Sequence, residues 1–191
     1  YPYEWCFSQL KDAALTTLTI QRLALEFNMS LKDASAYNIQ FNRGKPVMID
    51  TLSFELYQDG KPWVAYRQFC QHFLAPLALM ARSDVRLAQL QRIYVDGVPL
   101  DLVSRLLPWG TRLEMSLLAH IHLHTRSQQR YADRQVDVSR YRMGRLALRG
   151  LVDSLERASG VERLERAGVP LIKGDVRFTD LPHADAVVHA S

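Results

Sequence analysis

Three oxygen-bearing side chains, Asp33, Asn38 and Asp50, are the residues of this sequence whose types and spacing best suit chemistry. Asp33 and Asn38 bound the segment 33–38, DASAYN, and Asp50 follows Asn38 by twelve residues. A hairpin predicted between Asn38 and Asp50 would return the end of its second strand beside the start of its first. The three side chains would then converge on one hard cation, because such ions prefer oxygen ligands.

The same residues also fit purely structural roles. Ser30 and Asp33 have the spacing of a helical capping box. Asn38 could close an Asx turn, and Asp50 could begin the turn that follows the hairpin. Spacing alone leaves both interpretations open.

The elements that must position these residues are mostly helical. Apolar residues recur at helical spacing over residues 8–28, where neither glycine nor proline interrupts. A loop over 29–37 precedes a hairpin of strands 38–41 and 46–49, joined by the turn Asn-Arg-Gly-Lys. Beyond Trp63, with a break at 96–99, the pattern predicts helices at 65–73, 77–90, 100–107, 112–130 and 140–158.

The last stretch differs in kind. Residues 169–172 and 186–191 are predicted to be two buried strands of a parallel α/β sheet. The predicted fold class is therefore mainly α with a small β-hairpin, plus a short C-terminal α/β fragment. We place a helical domain at 1–158 and the α/β fragment at 159–191.

Segment 33–38 and the aspartate after the hairpin resemble the catalytic loop and metal-binding aspartate of protein-kinase-like phosphotransferases. The resemblance implies a kinase-like helical lobe in which Asp33 is catalytic and orients or deprotonates an acceptor hydroxyl. It also implies that Asn38 and Asp50 bind magnesium, with Asp50 bridging the ion to the phosphates of a nucleotide. Leu31 and Lys32 stand where such loops carry His-Arg, and only a few residues precede the first helix. We therefore expect no complete ATP site within these residues.

A second resemblance covers more of the chain. The segments 1–5 (YPYEW), 31–38 (LKDASAYN), 49–55 (IDTLSFE) and 62–70 (PWVAYRQFC) are similar, in order, to the N-terminal region of bacterial class I methyltransferases that use S-adenosylmethionine (SAM). The similar group is nodulation-protein-like, and the resemblance extends through about residue 158. It implies that a Rossmann domain downstream carries the glycine-rich SAM loop. The nine glycines of this chain form no GxGxxG pattern, so we expect SAM to be bound by the parent protein outside this chain.

The tail around Gly174 and Asp175, with the strand at 186–191, is similar to strands of NAD-dependent epimerases and, more loosely, to SAM enzymes. If a Rossmann-like sheet begins here, Asp175 would lie at the carboxyl end of a strand, where such sheets bind ligands. A peripheral strand pair is the alternative that we favour.

Two further clusters are better explained by structure than by chemistry. His120 and His124 have the spacing of a shared zinc site, but no intervening Glu or nearby third ligand accompanies them, so they are predicted to be surface imidazoles with His122 turned away. The aromatic opening, residues 1–7, is predicted to pack on the first helix as a hydrophobic lid or to line a pocket. A dense arginine run is predicted to be a solvated helix face rather than an anion site; it comprises Arg126, Arg130, Arg134, Arg140, Arg142, Arg145 and Arg149.

Composition excludes several classes of protein. The chain has 191 residues, of which 48% are hydrophobic and 23% charged, typical of a globular protein with a core of its own. No apolar stretch approaches the roughly 20 residues of a membrane-spanning helix, and the net charge of +4 is weak support for nucleic-acid binding. We expect neither partner. The two cysteines form no CxxC pair, so a reducing cytoplasm is the default.

These observations predict an accessory or substrate-recognition region of a bacterial SAM-dependent methyltransferase-like protein. Its partners would be a downstream methyltransferase domain and an unidentified small-molecule substrate. Because the first residue is Tyr1, we expect the chain to be a piece of a longer protein. The alternatives are a phosphotransferase or metal-dependent enzyme using Asp33, Asn38 and Asp50, and a structural interaction module, which an exposed apolar face around Trp63 and Phe69 would favour.

Overall fold

Helix α1, Phe7–Glu26, is the longest element of the computed structural model, which describes residues 1–123 and 144–159. The helix begins after Cys6, whose backbone N–H donates to the Gln9 side chain. It ends just before Asn28, which adopts a left-handed φ of 59°. Its buried residues recur at helical spacing, and they are Leu10, Ala13, Ala14, Thr17, Leu18, Gln21, Ala24 and Leu25. The predicted first helix is thus confirmed.

Within residues 1–123 and 144–159, four short strands form two antiparallel sheets. Strands β2, Ile39–Asn42, and β3, Lys45–Met48, form the predicted hairpin. Arg43 and Gly44 at its tip both have positive φ, the turn geometry that matches the twist of paired strands. Strand β1, Met29–Leu31, pairs with β4, Phe54–Leu56.

The prediction of a simple loop over 29–37 is therefore wrong in part. Strand β1 has only three residues, and its partner β4 lies beyond the whole hairpin. A pairing of this kind depends on contacts distant in sequence, which local periodicity does not reveal.

One apolar helical stretch follows, made of Tyr66–Phe69, a π-helical turn at Cys70–Leu74, and Ala75–Arg82, together called α2. We predicted separate helices at 65–73 and 77–90. The structure instead joins them and ends the helix at Arg82. The chain turns there because the Asp84 side chain accepts from the Arg86 N–H and begins a 3₁₀ helix.

The remaining described elements are short except for the last. After the 3₁₀ helix Val85–Gln89 come α3, Leu90–Ile93, and α4, Leu100–Leu106, separated by the predicted break. The 3₁₀ helix Trp109–Leu113 leads into α5, which comprises Met115–Leu117 and a π-helical turn at Leu118–Leu123. Helix α6, Arg145–Ser159, packs against α1.

Helix α6 is held to α1 by both apolar and charged contacts. Leu148, Val152 and Leu155 are buried and lie on one face of the helix at helical spacing. Beside them, the Arg22 guanidinium of α1 pairs with Asp153 at 2.9 Å and with Glu156. Buried side chains from α1, α2, α4 and α6 belong to one hydrophobic core.

The fold class of mainly α with a small β-hairpin is confirmed. Residues 160–191 lie outside the described part of the chain, so the C-terminal α/β fragment and the domain boundary at 158/159 stay predictions. Among the described residues, no helix combines the length and the apolar character needed to cross a bilayer.

Candidate functional site

Ser53 joins two of the three predicted site residues. The Asn38 side-chain amide donates to the Ser53 hydroxyl at 2.9 Å, and that hydroxyl donates to Asp50 Oδ2 at 2.7 Å. Two 3₁₀ turns on either side of the hairpin, Ala36–Asn38 and Thr51–Ser53, position these side chains. The hairpin thus brings Asn38 and Asp50 together, as their spacing predicted.

The Asp50 carboxylate has a hydrogen-bond donor at each oxygen. Its Oδ1 accepts from the Leu52 N–H at 2.8 Å, while Oδ2 accepts from Ser53. The Ser53 bond, then the Leu52 bond, lowers the pKa of Asp50 below its usual value, and the charge of Lys32 acts in the same direction. Asp50 therefore stays ionised at neutral pH, and it begins the turn Thr51–Ser53 as its structural role predicted.

Asp33 makes different contacts from the other two residues. Its Oδ1 accepts from the Ser35 N–H at 2.9 Å, which is an Asx turn. Its negative charge acts on His72, a buried residue of α2. The capping-box interpretation is wrong, because Ser30 lies in strand β1 and hydrogen-bonds the Gln21 side chain.

The described residues contain no group of three or more His, Cys, Asp or Glu side chains that could hold a metal ion. Asn38 and Asp50 supply two oxygen donors of the type that magnesium accepts. A metal ion bound to the Asp50 carboxylate would have to share its oxygens with the Leu52 N–H and the Ser53 hydroxyl, or displace these hydrogen bonds. The magnesium roles of Asn38 and Asp50 and the catalytic role of Asp33 stay predictions.

The histidine prediction is wrong for His120, which is buried rather than on the surface. Its ring nitrogens hydrogen-bond the Tyr66 hydroxyl at 2.8 Å and the Ser154 hydroxyl at 2.9 Å, which links α2, α5 and α6. His122 is also buried, between the Ser104 and Thr111 hydroxyls. Both rings are buried because α5 is covered on two sides, by α2 and α6 at His120 and by α4 and the 3₁₀ helix Trp109–Leu113 at His122. His124 lies outside the described residues.

Other predicted features lie partly outside the described residues. Of the arginine run, only Arg145 and Arg149 are described; Asp175 is not. Arg145 lies over the Tyr57 ring at 5.1 Å and donates to the Asn28 side chain, so it is engaged within the protein. In the aromatic opening, Trp5 packs edge-on against Phe41 of β2. Trp63 and Phe69 are buried, so they do not provide the exposed face that would favour an interaction module.

A pocket with an interior of about 100 Å³ opens to solvent beside the β1–β4 sheet, and sequence reasoning missed it. We call it the Trp63 pocket. Its lining combines aromatic, charged and polar side chains: Glu55, Tyr57, Gln58, Lys61, Trp63 and Leu148. The Trp63 indole N–H donates to the Leu31 carbonyl at 2.8 Å, which fixes the ring against the sheet. The signal in the sequence was the run of aromatic and polar residues over 55–63, which begins in β4 and continues through the loop before α2.

Comparison with known proteins gives one relationship to report. Over 147 residues, or 76% of this chain, the sequence is 39% identical to nodulation protein NoeA of Rhizobium meliloti (strain 1021). The chain covers 31% of the length of that protein. No family model matches the chain, and no solved structure matches it. The similarity agrees with the nodulation-protein-like part of the predicted resemblance, whereas the kinase-like helical lobe stays a prediction.

Proposed function

We propose that this chain is an accessory or substrate-recognition region of a bacterial SAM-dependent methyltransferase-like protein, and that methyl transfer occurs in a domain outside it. Three observations support the proposal at the level of the whole chain. The sequence resembles the N-terminal region of such methyltransferases, and it covers 31% of the length of NoeA, a protein 39% identical to it over 147 residues. The glycine pattern of a SAM loop does not occur in the sequence.

The observation that carries the recognition role is the Trp63 pocket. Its interior volume of about 100 Å³ is smaller than the roughly 300–1,000 Å³ of sites for drug-sized ligands, so it fits a small acceptor molecule or one end of a larger one. Tyr57 and Trp63 offer apolar ring surface, while Glu55, Gln58 and Lys61 offer groups that can orient a polar ligand. Such a mixed lining is what a recognition site for a small molecule requires.

The wall of the Trp63 pocket is held in place before any ligand binds. The Tyr57 hydroxyl donates to Asp59 at 2.9 Å, and the Arg145 guanidinium lies over the Tyr57 ring. The Trp63 ring is fixed by its bond to Leu31. Side chains ordered in advance lose less entropy on binding, which favours recognition.

Tryptophan fluorescence tests the proposal directly. Replacing Trp5 and Trp109 by Phe leaves Trp63 as the single tryptophan of the chain, which has three. This variant is titrated with glucose, catechol, octanoate and SAM, which represent three classes of methyl acceptor and the methyl donor. We expect at least one acceptor class to change Trp63 emission in a saturable way, and SAM to leave it unchanged.

Two lysine substitutions test whether the change in Trp63 emission comes from a ligand bound in the Trp63 pocket. Lys61→Met, introduced into the single-tryptophan chain, removes an ammonium group from the pocket and should weaken the response. Lys45→Met is the matched control, because Lys45 is exposed on the hairpin away from the pocket lining. An unchanged emission with every acceptor would refute the recognition role, and saturable binding of SAM would refute the claim that its site lies elsewhere.

A metal-dependent phosphotransferase is the second candidate function. The observation that favours it is the proximity of Asn38 and Asp50 through Ser53. Mn²⁺, a paramagnetic substitute for Mg²⁺, tests it by nuclear magnetic resonance. If the chain has this function, Mn²⁺ should broaden the resonances of Asn38 and Asp50 more than those of other residues. The broadening should be lost in Asp50→Asn and kept in the control variant Asp59→Asn. Broadening spread evenly over exposed carboxylates would exclude a site at Asp50.

A further inference from the structure

A second pocket, whose interior of about 10 Å³ has room for roughly one water-sized group, such as a carbonyl oxygen or a hydroxyl, lies where the N-terminal segment meets α2, α3 and the loop before α4. We call it the His72 pocket. The residues that form it and bear on its chemistry are Pro2, Tyr37, His72, Gln91, Tyr94 and Gly97. None of them lines the Trp63 pocket.

The backbone around the His72 pocket is unusual in two places. His72 lies in the π-helical turn Cys70–Leu74. Such turns are rare in proteins overall, but where they occur they are often found at functional sites. Facing it, Gly97 has a φ of 103°, and a Cβ there would lie 2.6 Å from the Gln71 Cβ and 3.1 Å from His72 Cδ2. The Val98 N–H donates to the Gln71 carbonyl at 3.0 Å. The loop is thus fastened closely against the π turn, in a position that only glycine permits.

Gln91 of α3 places a buried side-chain amide at the His72 pocket. Its side chain lines the cavity and is only 7% exposed. Among the described residues, its buried Nε2 has no hydrogen-bond partner. A buried amide N–H without an acceptor is unfavourable, so a ligand that supplies an acceptor oxygen gains by binding here.

The charges around the pocket indicate which kind of acceptor fits. Burial lowers the pKa of His72 and raises that of Tyr37, so both rings are uncharged at neutral pH. The carboxylates of Asp33 and Asp96 lie close enough to act on His72, and Asp96 also acts on Tyr37. Nearby negative charge opposes the binding of an anion. An uncharged oxygen, on an amide or a hydroxyl, meets no such repulsion.

We infer that the His72 pocket binds the uncharged polar end of a small molecule, an amide carbonyl or a hydroxyl, with Gln91 Nε2 donating to its oxygen. The rings of Tyr37 and His72, which meet edge-on at 6.3 Å between centroids, form the wall against which that group rests. This site is separate from the Trp63 pocket and does not depend on methyl transfer.

Acetamide and acetate are the probes that test this inference, because they match in size and differ in charge. The isotope-labelled chain is titrated with each, and the Gln91 side-chain amide and the His72 ring are followed by nuclear magnetic resonance. We expect saturable shifts at both groups with acetamide and none with acetate. Equal responses to the two probes, or no saturable response to acetamide, would overturn the inference; the second result would mean that the cavity holds water alone.

Gln91→Met removes the donor while keeping the length of the side chain, and we expect it to weaken acetamide binding about five-fold. Gln89→Met, at an exposed position of the adjoining 3₁₀ helix, is the matched control and should leave affinity unchanged. If Gln91→Met unfolds the chain, Gln91→Glu provides the second variant, since it replaces the donor by an acceptor and should likewise weaken binding. Unchanged affinity in a folded Gln91 variant would overturn the role of this residue.

Discussion

At the scale of single residues, Ser53 decides how the predicted polar site is arranged. Spacing in the sequence correctly predicted that Asn38 and Asp50 approach each other, because a hairpin brings its two ends together. The serine between them could not be predicted, since its position depends on the 3₁₀ turn that Asp50 begins. Asp33 makes separate contacts because its carboxylate closes a turn of its own. The metal site predicted for Asn38 and Asp50 and the catalytic role predicted for Asp33 are untested by these contacts.

Ser53→Ala should lower the free energy of unfolding by about 1–2 kcal/mol, because the substitution breaks the hydrogen bonds to both Asn38 and Asp50. Urea denaturation measures the change. Thr51→Val, which removes an exposed hydroxyl from the same turn, should have less effect. Equal stabilities for Ser53→Ala and the unsubstituted protein would mean that the hydrogen bonds of Ser53 to Asn38 and Asp50 contribute nothing to the free energy of unfolding.

His72 should make stability depend on pH. Its pKa in the folded chain lies below the ordinary value of 6.5, chiefly because the ring is buried. As pH falls through 6.5, the unfolded chain takes up a proton before the folded chain does, so the free energy of unfolding decreases. Above that pH the contribution is fully present. Urea denaturation between pH 7 and 5 should show this decrease, and His72→Gln should reduce its slope. The same slope in both chains would contradict the assignment to His72.

At the scale of elements, the long helices followed from periodicity and the irregular segments did not. Helix α1 could be predicted because its buried residues repeat at helical spacing without interruption. The two π-helical turns could not, since each shifts the side chains that follow it relative to a regular helix. His120, predicted at the surface, is buried, because tertiary contacts with α2 and α6 cover it. Both His120 and His122 are satisfied by hydroxyl groups of neighbouring elements.

Helix α6 should depend on its apolar face for stability. Leu155 is fully buried, so Leu155→Ala should cost about 2–5 kcal/mol through lost burial and the cavity left behind. Leu146→Ala is the matched control on the same helix, because Leu146 is 84% exposed. Thermal unfolding of the two variants separates these effects. Similar melting temperatures for both would show that α6 does not pack on α1 as described.

The loop before α4 should tolerate no side chain at Gly97. Gly97→Ala forces a positive φ on alanine and places its Cβ 2.6 Å from the Gln71 Cβ. Gly44→Ala at the tip of the hairpin also has a positive φ but meets nothing within 4 Å. We expect Gly44→Ala to cost about 1 kcal/mol and Gly97→Ala to cost about 1–3 kcal/mol more. Equal losses of unfolding free energy would argue against the close approach.

At the scale of the whole molecule, the fold class could be predicted from the sequence, whereas the topology could be predicted only in part. Helical periodicity predicted a mainly helical chain with one hairpin, and the structure confirms both. The β1–β4 pair and the end of α2 at Arg82 depend on contacts between distant segments, which one sequence does not display. The Trp63 pocket has the same origin, because its walls come from the β1–β4 sheet, the following loop and α6.

The central claim is that this region recognises a small molecule while the SAM site lies outside it. Thermal unfolding of the chain with SAM, with Mg-ATP, with the acceptor that changes Trp63 emission, and with no ligand tests it most directly. A bound ligand at about 100 times its dissociation constant adds about 2.7 kcal/mol of stability, a rise of several degrees in melting temperature. We predict that rise for the acceptor alone. A rise with SAM, or one with Mg-ATP that disappears in Asp50→Ala, would contradict the account.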